Sequence, residues 1–258
     1  MTAISAQYSV VIIGADGLGA RAEVVRSALL REIREIVALA LASIRLRPED
    51  VIATERGDLF QLEVPPTVSP GRLASTFVDA LNAELAARAA GRGPADAIRL
   101  TVALHRAAEG AAGQQPAGAV HLAEALVNAS ALPAVHKAAP RGYVVLVVSA
   151  QIYELFSQSG YRRVDTAAFL PLRLDSEGSG QVTGWVTVPG YSAPPGMDDK
   201  GTRAAKPDRE ETAPGRSAGV LVQGNGRVEN LVNVQGDQVI HGDLVFGHRV
   251  DETGSARR

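Results

Sequence analysis

The chain has 258 residues, 46% of them hydrophobic and 21% charged, which is enough apolar material for a sizeable core. Its formal net charge of −2 lacks the basic excess typical of nucleic-acid-binding proteins, so we expect no nucleic-acid partner. The absence of cysteine excludes disulfides, cysteine-ligated zinc and thiol catalysis.

The first half of the chain alternates between strand and helix patterns. Residues 8–13 form a β-branched run that ends at a glycine, which is typical of a buried strand. Residues 21–44 carry apolar side chains at helical spacing, and residues 51–64 predict a hairpin. Ser69 and Pro70 then predict the start of a helix that runs to about residue 90.

The second half continues the alternation. The patterns predict a strand at 98–104, a helix at 120–137, a strand at 144–148 and a short helix that Ser149 caps, followed by strands near 169–174 and 181–188. The hairpin in the middle of the first six elements favours a ferredoxin-like, split β-α-β-β-α-β sheet with helices packed on it. We therefore predict a mixed α/β fold, and within that broad class the α+β type, in which helices pack on a largely antiparallel sheet.

The composition divides the chain into three parts. Residues 192–217 contain four prolines and ten charged residues but no Val, Ile, Leu, Phe or Trp, so they cannot bury enough surface to offset the entropy of ordering. We predict a globular domain over 8–190, a disordered linker over 191–216 and a β-prone tail over 217–250. No apolar stretch approaches the roughly 20 residues that span a bilayer, and no signal peptide is evident. We expect a cytoplasmic protein without a membrane partner.

Two aspartates fall at the same edge of the predicted sheet. Asp16 follows the first strand, and Asp58 lies in the turn of the hairpin. In a split β-α-β-β-α-β sheet the first and third strands are neighbours, so the two carboxylates should approach each other. They would suit a hard cation such as Mg²⁺, although each aspartate also suits an ordinary glycine-containing turn.

Other chemistries have weaker support. Residues 14–19 read G-x-x-G-x-G, whereas dinucleotide binding requires G-x-G-x-x-G and a following parallel strand. Ser149 has no evident paired base and no G-x-S-x-G motif occurs, so serine hydrolysis is not supported. His105, His121 and His136 lack metal-ligand spacing and are expected to be solvated or to lie at the edge of the core.

Several segments together resemble class III nucleotidyl cyclases. The strand 10–13 with Asp16 is similar to the family's opening strand and metal aspartate, and residues 56–60 are similar to its hairpin with Asp58. Residues 98–105, 118–126 and 145–153 resemble the later strands and helices in the same order. Residues 131–132 and 184–190 resemble a divergent actinobacterial branch of cyclase-like proteins.

The resemblance implies a homodimer, a nucleotide as candidate ligand and Mg²⁺ or Mn²⁺ at Asp16 and Asp58. It also marks departures from the family pattern. Thr54 stands where the family has a purine-reading lysine. His121 and Ala125 stand where the family has the asparagine and arginine that support the transition state. We therefore expect a degenerate signalling component with little or no activity. The alternative is an active nucleotidyl cyclase with two metal ions, in which His121 supplies a hydrogen bond.

The predicted tail carries a repeated pattern. Val-Gln-Gly-Asn at 222–225 recurs as Val-Gln-Gly-Asp at 234–237, and Gly-Asp returns at 242–243. Too few apolar residues are present for a separate core, whereas stacked strands can pair their backbones and form Asn and Gln ladders. The segment resembles amyloid signalling motifs of bacterial conflict-system proteins, which implies a protein partner, although a disordered tail is the simpler alternative. The motif residues are Gln223, Gly224, Asn225, Gln235, Gly236, Asp237, Gly242 and Asp243.

Overall fold

Seven strands form one sheet in the order β2-β3-β1-β4-β5-β7-β6. The computed structural model describes residues 7–93, 97–108, 117–161, 163–176 and 180–197. All neighbouring strands are antiparallel except β4 and β5, which are parallel. The strands are β1 (Gln7–Ala15), β2 (Ile52–Arg56), β3 (Leu59–Val64), β4 (Leu100–Ala108), β5 (Val144–Ser149), β6 (Leu170–Ser176) and β7 (Gly180–Thr187).

The helices connect these strands along the chain. Ser69 accepts a hydrogen bond from the backbone N–H of Arg72, which is the cap that the sequence predicts for the second helical segment. A π-helical turn at Leu73–Phe77 joins α2 to α3 within that segment. The helices are α1 (Glu23–Ser43), α2 (Pro70–Arg72), α3 (Val78–Ala89), α4 (Ala117–Val127), α5 (Leu132–Ala138) and α6 (Ala150–Ser159), with 3₁₀ turns at Leu18–Ala20, Pro48–Asp50 and Thr166–Ala168.

Helices cover both faces of the sheet and create two apolar cores. One core contains residues of α1, α3 and α6 against the odd-numbered side chains of β1, such as Val11 and Ile13. The other contains residues of α4 and α5 against the opposite face, which includes Val10 and Ile12. Successive side chains of β1 point to opposite faces of the sheet, and helices cover both faces. Residues 10–13 are therefore all buried, which explains why they form a continuous apolar run.

The predicted split unit is confirmed. β1 lies between β3 and β4, and both pairings are antiparallel. This arrangement is inconsistent with the dinucleotide-binding alternative, in which the first strand has parallel neighbours. The predicted strands and the hairpin are found within a few residues of the expected bounds.

The helix predicted over 120–137 is wrong as a single element. The structure has two helices here, and α5 begins at Leu132 with Pro133 in its first turn. Proline has no N–H group to donate to the preceding turn, so it suits the start of a helix and not the interior. The sequence between the two helices, Asn128–Ala131, therefore forms a corner at one end of the sheet.

Residues 191–197, which the sequence assigned to the linker, contact the domain. Pro194 is buried, and Tyr191 and Met197 pack against the core that contains α4 and α5. The Tyr191 hydroxyl accepts a hydrogen bond from the backbone N–H of Arg141 at 3.3 Å. These residues therefore belong with the domain, and residues 198–216 lie outside the described residues.

Within the described ranges, no single helix has the length and apolar character needed to cross a membrane. The bent pair formed by residues 118–127 and 132–138 meets such a criterion by length and composition only. Ala123, Leu126, Leu132 and Val135 of this pair are buried in the protein core.

Gly184 allows α4 to approach β7 closely. A Cβ at this position would lie 2.6 Å from Leu126 Cδ2 and 3.3 Å from Val147 Cγ1. We expect Gly184→Ala to lower the free energy of unfolding by about 1–3 kcal/mol through overpacking. Urea denaturation followed by circular dichroism measures this loss of stability.

Gly118→Ala is the matched control, because a Cβ there would have no described neighbour within 4 Å. We expect no loss of stability from that substitution, since alanine is the better helix former. Equal losses in the two variants would contradict the packing explanation for Gly184.

Candidate functional site

Strand register brings Asp16 and Asp58 to the same end of the sheet. Gly14 of β1 is paired with Leu59 of β3, so the residues that follow β1 and precede β3 are neighbours. The backbone reverses at both places through Gly17 and Gly57, which have φ angles of 66° and 61°. The predicted proximity of the two sequence segments is therefore present in the fold.

Both aspartates line one cavity of about 330 Å³. Buried Thr101 at the start of β4 and buried His136 of α5 line it, and residues of the corner between α4 and α5 form one wall. The break at Pro133 thus creates this wall, which a single straight helix would not provide. The lining residues are Gly14, Ala15, Asp16, Gly17, Asp58, Leu59, Thr101, Val127, Asn128, Ala129, Ser130, Leu132, Pro133 and His136.

The carboxylate of Asp58 is crowded on two sides. Arg26 Nε lies 3.6 Å from Asp58 Oδ1, and the Asp58 side chain is 30% exposed. On another side a Cβ on Gly19 would lie 3.2 Å from Asp58 Oδ2, so glycine lets the loop after β1 pass close to the carboxylate. Neither Asp58 Oδ1 nor Arg26 Nε has a hydrogen-bond partner in the described part of the chain, although both atoms are buried.

The two aspartates fit a hard cation whose remaining ligands are water or phosphate oxygens. Asp16 and Asp58 supply two carboxylates, and the buried Oδ1 of Asp58 has no hydrogen-bond donor. Among the described residues, no cluster of three or more histidine, aspartate or glutamate side chains is arranged to hold a metal. Mg²⁺ and Mn²⁺ suit such a site because they commonly bind one or two carboxylates and retain water or phosphate oxygens.

From the sequence, His136 is expected to be solvated or at the edge of the core, whereas the structure buries it in the cavity lining. It is 1% exposed, and its Nε2 lies 3.0 Å from Thr101 Oγ1. Burial lowers the pKa of His136 to about 4, against a smaller opposing effect of Asp16. The imidazole is therefore neutral at pH 7, and its buried Nδ1 has no hydrogen-bond partner within the described ranges. No local sequence signal separates this histidine from an ordinary helical one.

Asn128 and Ser130 also reach the cavity, from the corner between α4 and α5. Asn128 Nδ2 donates to the backbone carbonyl of Glu124 at 2.9 Å, which closes the last turn of α4. The sequence could have revealed these residues through Pro133, because a helix break upstream of a proline places polar side chains at a corner.

Three positions singled out by the sequence lie outside the lining of this cavity. Thr54 is exposed on the edge strand β2 and lines a separate groove of about 370 Å³ between α1 and the hairpin. His121 and Ala125 are exposed on the outer face of α4. His121 Nδ1 lies 3.5 Å from Glu124 Oε2, and its side chain is 73% exposed. The tail motif at 223–243 lies outside the described residues.

Ser149 does have a histidine neighbour, so that part of the sequence reasoning is wrong. Its Oγ lies 2.9 Å from His105 Nδ1, across the parallel strands β4 and β5, and makes no capping bond to α6. Burial lowers the pKa of His105, which favours the neutral imidazole. Ser149 is only 3% exposed, so this pair reads as a satisfied polar contact inside the domain.

Solved structures that are similar to this domain are cyclases, and the similarity is low. No protein-family model matches the chain, and no curated protein matches its sequence. A solved adenylate/guanylate cyclase/hydrolase from Silicibacter pomeroyi is similar at 16% identity with a TM-score of 0.48, covering 72% of this chain and 99% of that one. The adenylyl cyclase CyaB from P. aeruginosa gives 16% identity and a TM-score of 0.44, over 71% of this chain and 93% of that one.

Adenylate cyclases from Trypanosoma brucei in their monomeric state give 13% identity and a TM-score of 0.46, over 71% of this chain and 89% of that one. These structural neighbours are adenylate and guanylate cyclases, the class that the sequence resembles. Identities this low, with TM-scores below 0.5, carry no argument about this chain. The functional interpretation rests on the residues themselves.

The buried His136 should make stability depend on pH. Its pKa of about 4 in the fold is below the usual value near 6.5, so the unfolded chain binds the proton more strongly. We expect the stabilisation that folding gains from keeping His136 neutral to be complete above pH 6.5. It should be lost progressively as the pH falls towards 4. This contribution makes the free energy of unfolding about 2 kcal/mol lower at pH 5 than at pH 7.

Urea denaturation at the two pH values measures this difference. His136→Gln should flatten this part of the profile, while His105 leaves a residual slope of the same sign. His121→Gln serves as the control, since that side chain is 73% exposed. An unchanged slope in His136→Gln would show that folding does not lower the pKa of His136.

Proposed function

We propose that residues 8–190 are a cyclase-type signalling module of the cytoplasm that binds a divalent cation and a nucleotide with little or no turnover. The observation that supports it is the meeting of Asp16 and Asp58 in one cavity at the end of β1. Two carboxylates on two segments that resemble the metal-binding segments of class III cyclases make a nucleotide–metal complex the ligand that suits the cavity best.

Asp16 and Asp58 would hold the cation, and the loop at 17–19 would lie against the phosphates. A bound Mg²⁺ or Mn²⁺ would polarise the phosphoryl oxygens and neutralise their charge. Gly19 allows close approach, because a Cβ there would lie 3.2 Å from Asp58 Oδ2, and Gly17 provides the positive φ of the turn. The chain's own contribution on this side of the site is binding and orientation.

The proposed low turnover follows from α4. The resemblance assigns transition-state support to the positions of His121 and Ala125, and alanine has no polar group to offer. Loss of one such donor typically costs 10²–10³ in rate, and the loss of two is not simply additive. Both residues are exposed on α4, as a contribution to a second copy of the chain would require. A homodimer is part of the proposal.

An active nucleotidyl cyclase is the second candidate. The retained pair of carboxylates favours it, and His121 is accessible enough to donate a hydrogen bond to a ligand held by a partner. Thr54 replaces the lysine of the family pattern, so purine recognition at that position would lack a charged donor. The two candidates differ in turnover and share the metal site.

We expect purified full-length protein to form no appreciable cyclic nucleotide from ATP or GTP with Mn²⁺. Restoring the family residues with His121→Asn and Ala125→Arg together should recover measurable product, because it supplies the missing donors. Chromatographic detection of the cyclic nucleotide measures both.

Asp58→Ala in the restored background is the control and should abolish the product. Robust product from the unmodified chain that Asp58→Ala removes would establish the active alternative. A restored variant that folds and dimerises yet stays inactive, and that binds no Mn²⁺-nucleotide, would contradict the proposed metal site.

We further propose that the tail at 217–250 recruits a partner by β-pairing. Val, Ile and Leu alternate there with Gly-Asn and Gly-Asp corners, and the only charged residues within 220–250 are Arg227, Glu229, Asp237, Asp243 and Arg249. A tether raises the local concentration of tails when the domains dimerise. Stacking in register would place like charges of successive chains next to each other, which opposes assembly. We therefore expect assembly to need a trigger and not to be spontaneous.

The 217–250 peptide should convert to β-structure when preformed seeds are added, because each strand offers unpaired backbone groups to the next. Dye binding and fibre diffraction, with and without seeds, measure the conversion. A peptide with the same composition in scrambled order is the control and should remain unassembled. A native peptide that stays monomeric under seeding would contradict β-pairing and favour a disordered tail.

A further inference from the structure

Arg26 on α1 stands between two carboxylates. Its Nη2 lies 3.3 Å from Glu23 Oε2 one turn earlier on the same helix, and its Nε lies 3.6 Å from Asp58 Oδ1 in the hairpin turn. Glu23 is also held by Ser27, whose hydroxyl donates to Glu23 Oε1 at 3.2 Å. One guanidinium is therefore shared between the aspartate of the cavity and a glutamate outside the cavity lining.

The two contacts differ in their surroundings. The Glu23 side chain is 72% exposed, whereas those of Asp58 and Arg26 are 30% and 34% exposed. Arg26 Nε and Asp58 Oδ1 are both buried, face each other just beyond hydrogen-bond distance, and have no other partner in the described residues. The two charges are thus close enough to attract each other but lack the hydrogen bond that would fix the pair.

We propose that Arg26 is a built-in counter-cation for Asp58, which a divalent cation must displace on binding, and that Glu23 receives the displaced guanidinium. This inference rests on the proposed function, because it takes Asp58 as a metal ligand. It adds Arg26 and Glu23 as positioning residues that set how tightly the site holds a divalent cation.

Electrostatic repulsion from the bound cation would move the Arg26 guanidinium from Asp58 towards Glu23. A divalent cation on Asp58 Oδ1 would lie within a few ångströms of the present position of the guanidinium, and two positive charges at that separation repel each other. Arg26 does not have to be left unpaired when it moves, because it already contacts Glu23. The cost of displacement therefore lowers the affinity of the cavity for a bare cation without closing the site.

The test measures Mn²⁺ binding to the full chain without nucleotide, from the free-ion signal in electron paramagnetic resonance. Arg26→Gln removes the competing charge and should bind Mn²⁺ at least about fivefold more tightly than the unmodified chain. Glu23→Gln leaves Arg26 only Asp58 as a partner and should weaken binding about twofold.

Three further variants isolate the mechanism. In the double variant Arg26→Gln with Glu23→Gln, the Glu23 substitution should have no effect, because it acts through Arg26 and its own exposed charge is screened. Arg31→Gln is the matched control, since it removes one exposed positive charge from the same helix and should leave the affinity unchanged. Asp58→Asn should abolish the binding in every background.

The outcomes separate this inference from the proposed function. If the unmodified chain binds Mn²⁺ in an Asp58-dependent way and Arg26→Gln binds no more tightly, the inference falls and the metal site stands. If Arg31→Gln tightens binding as much as Arg26→Gln does, the effect is one of net charge and the inference also falls. If neither the unmodified chain nor Arg26→Gln binds Mn²⁺, the metal site and the inference fall together.

Discussion

The pairing of β1 with both β3 and β4 is the constraint on which the domain depends. It places a strand with a buried apolar segment at 10–13 inside the sheet and divides the interior into two cores. The same register fixes where the chain leaves β1 and where the hairpin turns. A shift of one residue would turn the side chains of β1 to the opposite faces and move Asp16 away from Asp58, so the core and the cavity are specified together.

The break between α4 and α5 has a similar double role. Apolar residues of both helices pack against the sheet, and Pro133 lies in the first turn of the second helix, where it suits a helix start. The resulting corner carries polar side chains over the end of β1, while His136 comes from the helix that follows. The cavity is therefore a consequence of how this layer of helices is divided, and not of a separate loop inserted for the purpose.

Much of the architecture could be predicted because its signals are local. The β-branched run at 8–13, the Gly57–Asp58 turn and the Ser69 cap each lie within a few residues of the element that they specify. The site was predictable only as far as strand order brings Asp16 and Asp58 together. The burial of His136 and the contact of Arg26 with Asp58 depend on how α5 and α1 rotate against the sheet, and no short-range pattern reports that rotation.

The wall of the cavity comes from the same chain as its two carboxylates, and this has a kinetic consequence. A pocket lined by one chain forms as a first-order process, so at a fixed concentration of free ligand its occupancy does not change when the protein is diluted. Any step that needs α4 of a second copy is second order and depends on protein concentration. In the proposed homodimer, filling of this pocket would not require the second copy, whereas a reaction that uses the second copy's α4 would.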